Sequence, residues 1–268
     1  MYTILHGDIL KNVLSFLSRS YIIVGSVSKE WKRNTSRYNI TNVSNCVSSK
    51  DLIEFSIYNG VPVNNICTHV AKNGDFHLLK WSREIQLPWN CDTFSSAAKI
   101  GNIDMLEWMF SENCPYDEDC FQNASKYGHL EALKWMKSNN FPTDVGAGWY
   151  AATYGHLHIL KWAMESGENM SGICVACAYG GQLECLKWAR ENNMPWDHRV
   201  CSTAAYRGFL EVLIWTRSNG CPWSEDTCEH ALFGGKLECF RWSLKNGCPC
   251  SERTMSCLKF SFPKFKFE

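Results

Sequence analysis

The chain has 268 residues, with 27 Lys and Arg balancing 27 Asp and Glu, and 45% of its residues are hydrophobic. That is enough length and apolar matter for one large or two small domains with a buried core. Zero net charge argues against a nucleic acid as the main partner, because such affinity rests on many phosphate contacts by Lys and Arg.

No apolar run approaches the roughly 20 residues of a membrane-spanning helix, so no membrane partner is expected. The first 17 residues carry Asp8 and Lys11 inside their apolar part and do not read as a secretion signal. Fifteen Cys, an odd number in a long chain, fit a reducing cytosol or nucleus better than a disulfide scaffold. An intracellular protein is expected.

In chain order, Ile9, Val13 and Leu17, with Leu10 and Leu14, first make an apolar stripe at helical spacing. Val27 and Trp31 come after it. The order from Leu5 to Trp31 resembles an F-box, a small helical module that docks on the Skp-type adaptor of cullin–RING ubiquitin ligases. The resemblance implies that Leu5, Ile9, Leu10 and Leu14 face the adaptor while Val27 and Trp31 close the module's own core. F-boxes usually carry Pro after the first Leu, where this chain has His6. The alternative reading is a helical cap that seals the apolar end of a repeat array. Residues 32–50 hold ten Asn, Ser or Thr among nineteen and read as a joint. The expected division is a module and linker over 1–48 and a repeat array over 49–268.

The array announces itself by period. Trp81, Trp108, Trp135, Trp162, Trp188, Trp215 and Trp242 are spaced by 26 or 27 residues, and Phe55 extends the series backwards by 26. Seven residues before each Trp sits a Gly, from Gly74 to Gly235, and seven residues after the anchor sits a Pro in every unit but the one with Asn169. Nine residues after the anchor come Asn64, Asn90, Asp117, Asp144, Ser171, Asp197, Ser224 and Ser251, all helix N-capping types. A short helix is expected next, with small residues such as Ala97, Ala98, Ala151 and Ala152 on its buried side. The Gly turns the chain into a second helix, where Leu130, Leu133 and Trp135 recur as Leu157, Leu160 and Trp162 on one broad apolar face. Gly60, Asn113, Asn140, Gly167, Asn193, Gly220 and Gly247 end it as left-handed caps, with Gln86 the exception, and the Pro prevents continuation. One such pair cannot bury its apolar face alone, so about eight pairs must stack into an all-α solenoid.

Gly128-His129-Leu130-Glu131-Ala132-Leu133, Gly155-His156-Leu157 and Gly208-Phe209-Leu210-Glu211-Val212-Leu213 resemble the core of the ankyrin repeat. The period falls about six residues short of the usual 33, which places the deficit in the loop, so a shortened or absent β-hairpin finger is expected. With Trp in the second helix and Pro-Trp at 88–89, 195–196 and 222–223, the unit resembles the short ankyrin arrays of giant viruses of amoebae and some protists. The resemblance implies a protein-binding array without chemistry of its own.

Catalytic and metal readings lose to the period. Cys174 shares its phase with Cys67, Cys201 and Cys228, and Cys177 stands where other units have Ala. A structural zinc site needs four close ligands, and no second pair has matching spacing. Core packing is expected, with no metal and no cofactor. No Ser–His–Asp or Cys–His set stands out and no phosphate loop is present, so a non-enzyme is expected.

A partner surface should sit where the scaffold imposes no residue type. On the outer side of the first helices those phases hold Lys99, Lys126, Tyr127, Trp149, Tyr150, Tyr154, Tyr179, Tyr206, Arg207 and Phe233. Tyr, Trp and Arg are enriched at interface hot spots. A partner-binding stripe from Tyr127 to Phe233 along the concave side is the expectation, and packing of these aromatics between neighbouring helices is the alternative. The Phe- and Lys-rich tail from Lys259 leaves the repeat.

Overall fold

The computed structural model describes residues 47–58, 62–143 and 146–262, which form sixteen helices and no strand. The F-box-like segment with Leu5, Ile9, Leu10 and Leu14, the capping position Asp144 and the tail from Pro263 lie outside the described residues. Helix α1, Lys50–Tyr58, precedes seven pairs. These are α2 Ile66–Asn73 with α3 Phe76–Glu84, α4 Cys91–Ile100 with α5 Ile103–Ser111, and α6 Glu118–Lys126 with α7 Leu130–Ser138. Then come α8 Gly146–Tyr154 with α9 Leu157–Glu165, α10 Ile173–Gly180 with α11 Leu183–Glu191, α12 His198–Arg207 with α13 Leu210–Ser218, and α14 Glu225–Phe233 with α15 Leu237–Lys245. Helix α16, Glu252–Ser261, ends the series. The chain divides into two compact units, 1–120 and 121–268.

Four of the capping residues start their helices as their types require. Asn90 accepts from the Thr93 amide while Thr93 returns a bond to the Asn90 amide, and Ser251 accepts from the Thr254 amide at 3.2 Å. Asp197 and Asp117 accept one residue earlier, from Arg199 and Asp119. Three expected caps are corrected. Ser224 precedes α14 but makes no side-chain capping bond, its hydroxyl donating instead to Asp226 Oδ2 at 3.0 Å. Helix α2 begins after Asn65 and α10 after Gly172, so Asn64 and Ser171 fall one residue outside. Gly172 adopts φ 74°, and Ser171 instead donates its amide to Asn169 Oδ1.

The second helices close by one device. Gln86, Asn113, Asn140 and Asn193 adopt φ between 57° and 61°, so Gln86 takes the left-handed conformation as well. The next residue then donates its amide back to the turn, as Leu87 to Ser82 and Phe141 to Met136, which is the Schellman pattern. Leu87, Cys114, Phe141, Met194, Cys221 and Cys248 are buried there, as the apolar contact of that motif requires. One unit has Glu168 at this position. Its Oε2 accepts the Ala147 amide at 3.0 Å in the first turn of α8, and its Oε1 lies 3.4 Å from Lys137 Nζ. The carboxylate therefore serves α8 in the unit that lacks the Pro.

The core of the second helices differs from the expected face. In the first unit Leu78, Leu79, Met105, Leu106 and Met109 are buried, and in the second Leu133, Met136, Ile159, Leu160, Leu186, Leu213 and Phe240. Fully burying such a side chain contributes about 1.5–3 kcal/mol. The buried positions are the third and second before each anchor and the first after it. The anchor Trp lies about 100° round the helix from the centre of that stripe and is half-buried in all seven units.

The Trp residues build an outer ladder instead. Arg83, Arg190 and Arg217 follow their anchors by two residues and stack 4.3, 4.4 and 4.4 Å from the rings of Trp89, Trp196 and Trp223. Each guanidinium also donates to a carbonyl of the turn, at Leu87, Met194 and Cys221. Those same rings meet the next anchor edge-on, with centroids 5.6 Å apart for Trp89–Trp108 and 6.0 Å for Trp196–Trp215. Where the Arg is absent the partner changes too: Phe110 packs on Tyr116 at 5.7 Å.

No helix among the described residues is long and apolar enough to cross a membrane.

Candidate functional site

Within the unit 121–268 the ends of the first helices bring the sequence-selected aromatics to the surface. Tyr127, Tyr154, Tyr179, Tyr206 and Phe233 are 49%, 44%, 45%, 48% and 61% exposed, and Trp149 is 36% exposed. Tyr150 is half-buried, and Lys99 belongs to the other unit. Each exposed aromatic stands on or just after a different first helix, α6 to α14, except that α8 supplies both Trp149 and Tyr154. The helices pack in series because their small residues, such as Ala151, Ala152, Ala178, Ala204 and Ala205, are fully buried between them.

Neighbouring units are tied at this edge by bonds that the sequence did not reveal. An α-helix leaves its last four carbonyls without an intrahelical partner. His156 Nε2 reaches the Lys126 carbonyl at 2.8 Å, Gln182 Nε2 donates to the Thr153 carbonyl at 3.4 Å, and Arg207 Nε donates to the Tyr179 carbonyl at 3.2 Å. His156 and His158 thus both bond the preceding repeat, His158 to the Gly128 carbonyl at 3.0 Å. The signal available was a polar donor recurring about 28 to 30 residues after the carbonyl it satisfies.

The aromatics are also paired with cations. Lys126 Nζ lies 4.9 Å from the Tyr154 ring and Arg207 4.4 Å from the Tyr179 ring, while Tyr206 meets His230 edge-on at 6.2 Å. Cation–ring pairs of this kind hold the rings in place by about 0.5–1 kcal/mol at exposed sites. A shallow cleft of about 420 Å³ lies among Tyr206, Arg207, Phe233, Gly234 and Lys236.

Eleven of the fourteen described cysteines are buried. Cys174 and Cys177 are buried, and Cys174 Sγ lies 3.9 Å from the Met194 carbonyl. Among the described residues no group of three His, Cys, Asp or Glu is placed to hold a metal. Burial pushes the thiols of Cys67, Cys174, Cys185 and Cys239 up from 9.0 to about 11, and Cys120 to about 12. Cys221 and Cys228 are raised further by hydrogen bonds to the neighbouring thiols of Cys201 and Cys248, and by burial, while the same bonds lower Cys201 and Cys248. The raised thiols oppose the thiolate a nucleophile or metal ligand requires. The folded state holds these protons more tightly than the unfolded chain. The contribution of these thiols to stability is therefore constant below about pH 9 and falls as pH rises from about 9 to about 11. Urea unfolding between about pH 8 and about pH 11 measures this, and a flat profile would contradict it.

The short helix pairs, the left-handed turns and the serial packing within each unit define an ankyrin-repeat solenoid. No protein-family model matches the chain, and no curated protein matches it. Among solved structures the chain is similar to the crystal structure of the human ASB11 ankyrin repeat domain. The two are 16% identical with a TM-score of 0.51, over 65% of this chain and 94% of that one.

Proposed function

We propose that this chain is a non-catalytic protein-interaction protein whose array holds a target protein through the stripe from Tyr127 to Phe233. In this reading residues 1–48 recruit the Skp-type adaptor of a cullin–RING ubiquitin ligase, making the protein an intracellular substrate receptor. The observation that carries the interaction is the row of exposed aromatics, supplied by five successive first helices of one unit. Tyr, Trp and Arg supply the largest contact energies at protein interfaces. The adaptor part is supported by the F-box resemblance between Leu5 and Trp31. In the viral setting that the short Trp/Pro unit resembles, ligase and target belong to the host cell. His6, where an F-box usually has Pro, favours a second reading in which the N-terminus only caps the array.

A pull-down with a eukaryotic Skp-type adaptor separates the two, using the full chain and a variant carrying Leu10→Asp and Leu14→Asp. The receptor reading expects capture by the unsubstituted protein alone. No capture by a protein whose helical circular dichroism is intact leaves a scaffold with an N-terminal cap.

A further inference from the structure

The edge that carries the stripe has a charge as well as a shape. From the end of each first helix through the adjoining turn, the residues are 126–129, 153–156, 179–182, 206–209 and 233–236. These five segments contain Lys126, Arg207 and Lys236 and no Asp or Glu, in a chain whose total charge is zero. The acids two residues further on open the second helices, and Glu131 and Glu184 are held there by Lys134 and Lys187 at 2.8 and 2.7 Å. The helix-end carbonyls that would repel an anion are already bonded at Lys126, Thr153 and Tyr179. Arg207 uses Nε for that bond, which leaves the terminal nitrogens of its fork for a carboxylate.

We propose that the occupant of this edge is an extended acidic peptide segment of the target, its carboxylates meeting Lys126, Arg207 and Lys236 and its backbone crossing the tyrosines. The proposal rests on the reading of the stripe as the binding surface. Packed helices lie about 8–10 Å apart and an extended chain rises about 3.3 Å per residue, so each helix pair spans about three ligand residues and five pairs about 12–15. A single-stranded nucleic acid fits less well. Base stacking needs open ring faces, and those of Tyr154 and Tyr179 carry Lys126 and Arg207. Three cations over five helix pairs also give few phosphate contacts.

The test is fluorescence anisotropy of the full chain with a labelled Gly-Ser-Glu repeat peptide of about 15 residues. A Gly-Ser-Gln peptide and an oligouridine of similar length are the controls. Expected are saturable binding of the Glu peptide that weakens with salt, and about tenfold weaker binding of the Gln peptide. The Arg207→Glu, Lys236→Glu variant should lose a similar factor, and Lys236→Gln a smaller one if the double variant misfolds by circular dichroism. Equal binding of the Gln peptide, tighter binding of oligouridine, or no saturable binding of the Glu peptide overturns the proposal. If Tyr154→Ala with Tyr206→Ala abolishes peptide binding while the charge variant does not, the stripe survives and its acidic ligand falls. If neither variant changes binding, both fall.

Discussion

Replacing Gly180 by Ala is expected to destabilise the array by about 3 kcal/mol or more, at the upper end of what overpacking costs. Gly180 ends α10, where Ala is normally the better helix former by about 1 kcal/mol, so local propensity predicts the opposite sign. The reason lies in the preceding unit. A Cβ at Gly180 would stand 1.8 Å from the Thr153 carbonyl oxygen and 2.7 Å from its carbon. Both are backbone atoms at the end of α8, and no rotamer change removes them. Helices α8 and α10 would have to part at the interface where Gln182 bonds the same carbonyl. Gly234 repeats the arrangement, with Tyr206 O 2.2 Å from its Cβ position. Gly220→Ala is the control: its φ is 81° but nothing lies within 4 Å, so it should cost only about 1–2 kcal/mol. Because a solenoid is held by nearest-neighbour interfaces, urea unfolding of Gly180→Ala should lose its single transition as well as its midpoint. An unchanged unfolding curve would contradict the close approach of these helices.

The second large effect reverses what the sequence makes conspicuous. Trp242 is one of seven anchors that define the period, yet Phe240 is the residue with no exposed surface. Phe240→Ala should cost about 3–5 kcal/mol, transfer and cavity terms together. Trp242 is half-buried and its ring contact is the edge-on pair with Trp223 at 5.9 Å. Trp242→Ala should therefore cost less, about 1–2 kcal/mol from partial burial and the lost aromatic pair. Chemical unfolding of the two variants side by side decides the order. A larger loss at Trp242 would mean that the ladder, rather than the stripe of Phe240 and Cys239, holds α15.

The scaffold was legible because it is built from local chemistry repeated in phase. Pro two residues after Asn or Gly, Gly before the second helix and capping types before the first each act within a few residues, and the helices lie where those signals put them. Gln86 joined the left-handed set because the motif, with Leu87 buried behind it, outweighs the residue's own reluctance. Less was legible where a role depends on the next unit. The Trp anchors looked like core because large aromatics at fixed period usually are. Their actual partners are the Pro-Trp rings Trp89, Trp196 and Trp223 of the preceding repeat, and the bracing of those rings by Arg83, Arg190 and Arg217 becomes visible only when the second and eighth residues after the anchor are compared. Asn169 looked like a flaw in the period, and the role of Glu168 beside it, holding an amide of α8 21 residues earlier, was not visible. The exposed aromatics were found as positions without scaffold constraint. Their pairing with Lys126, Arg207 and His230 required the register between units.

The array's claim to a partner rests on these rings, and one measurement bears on it most directly. A target protein captured by the full chain and then purified is titrated by calorimetry against the unsubstituted protein and against a Tyr154→Ala, Tyr206→Ala, Phe233→Ala variant. Each of these side chains is exposed, so the unfolding midpoint should stay within the range of surface substitutions, about 0.5 kcal/mol apiece. Affinity should fall about a hundredfold or more, as loss of hot-spot residues demands. Unchanged affinity in a variant that melts like the parent would place the partner elsewhere on the array.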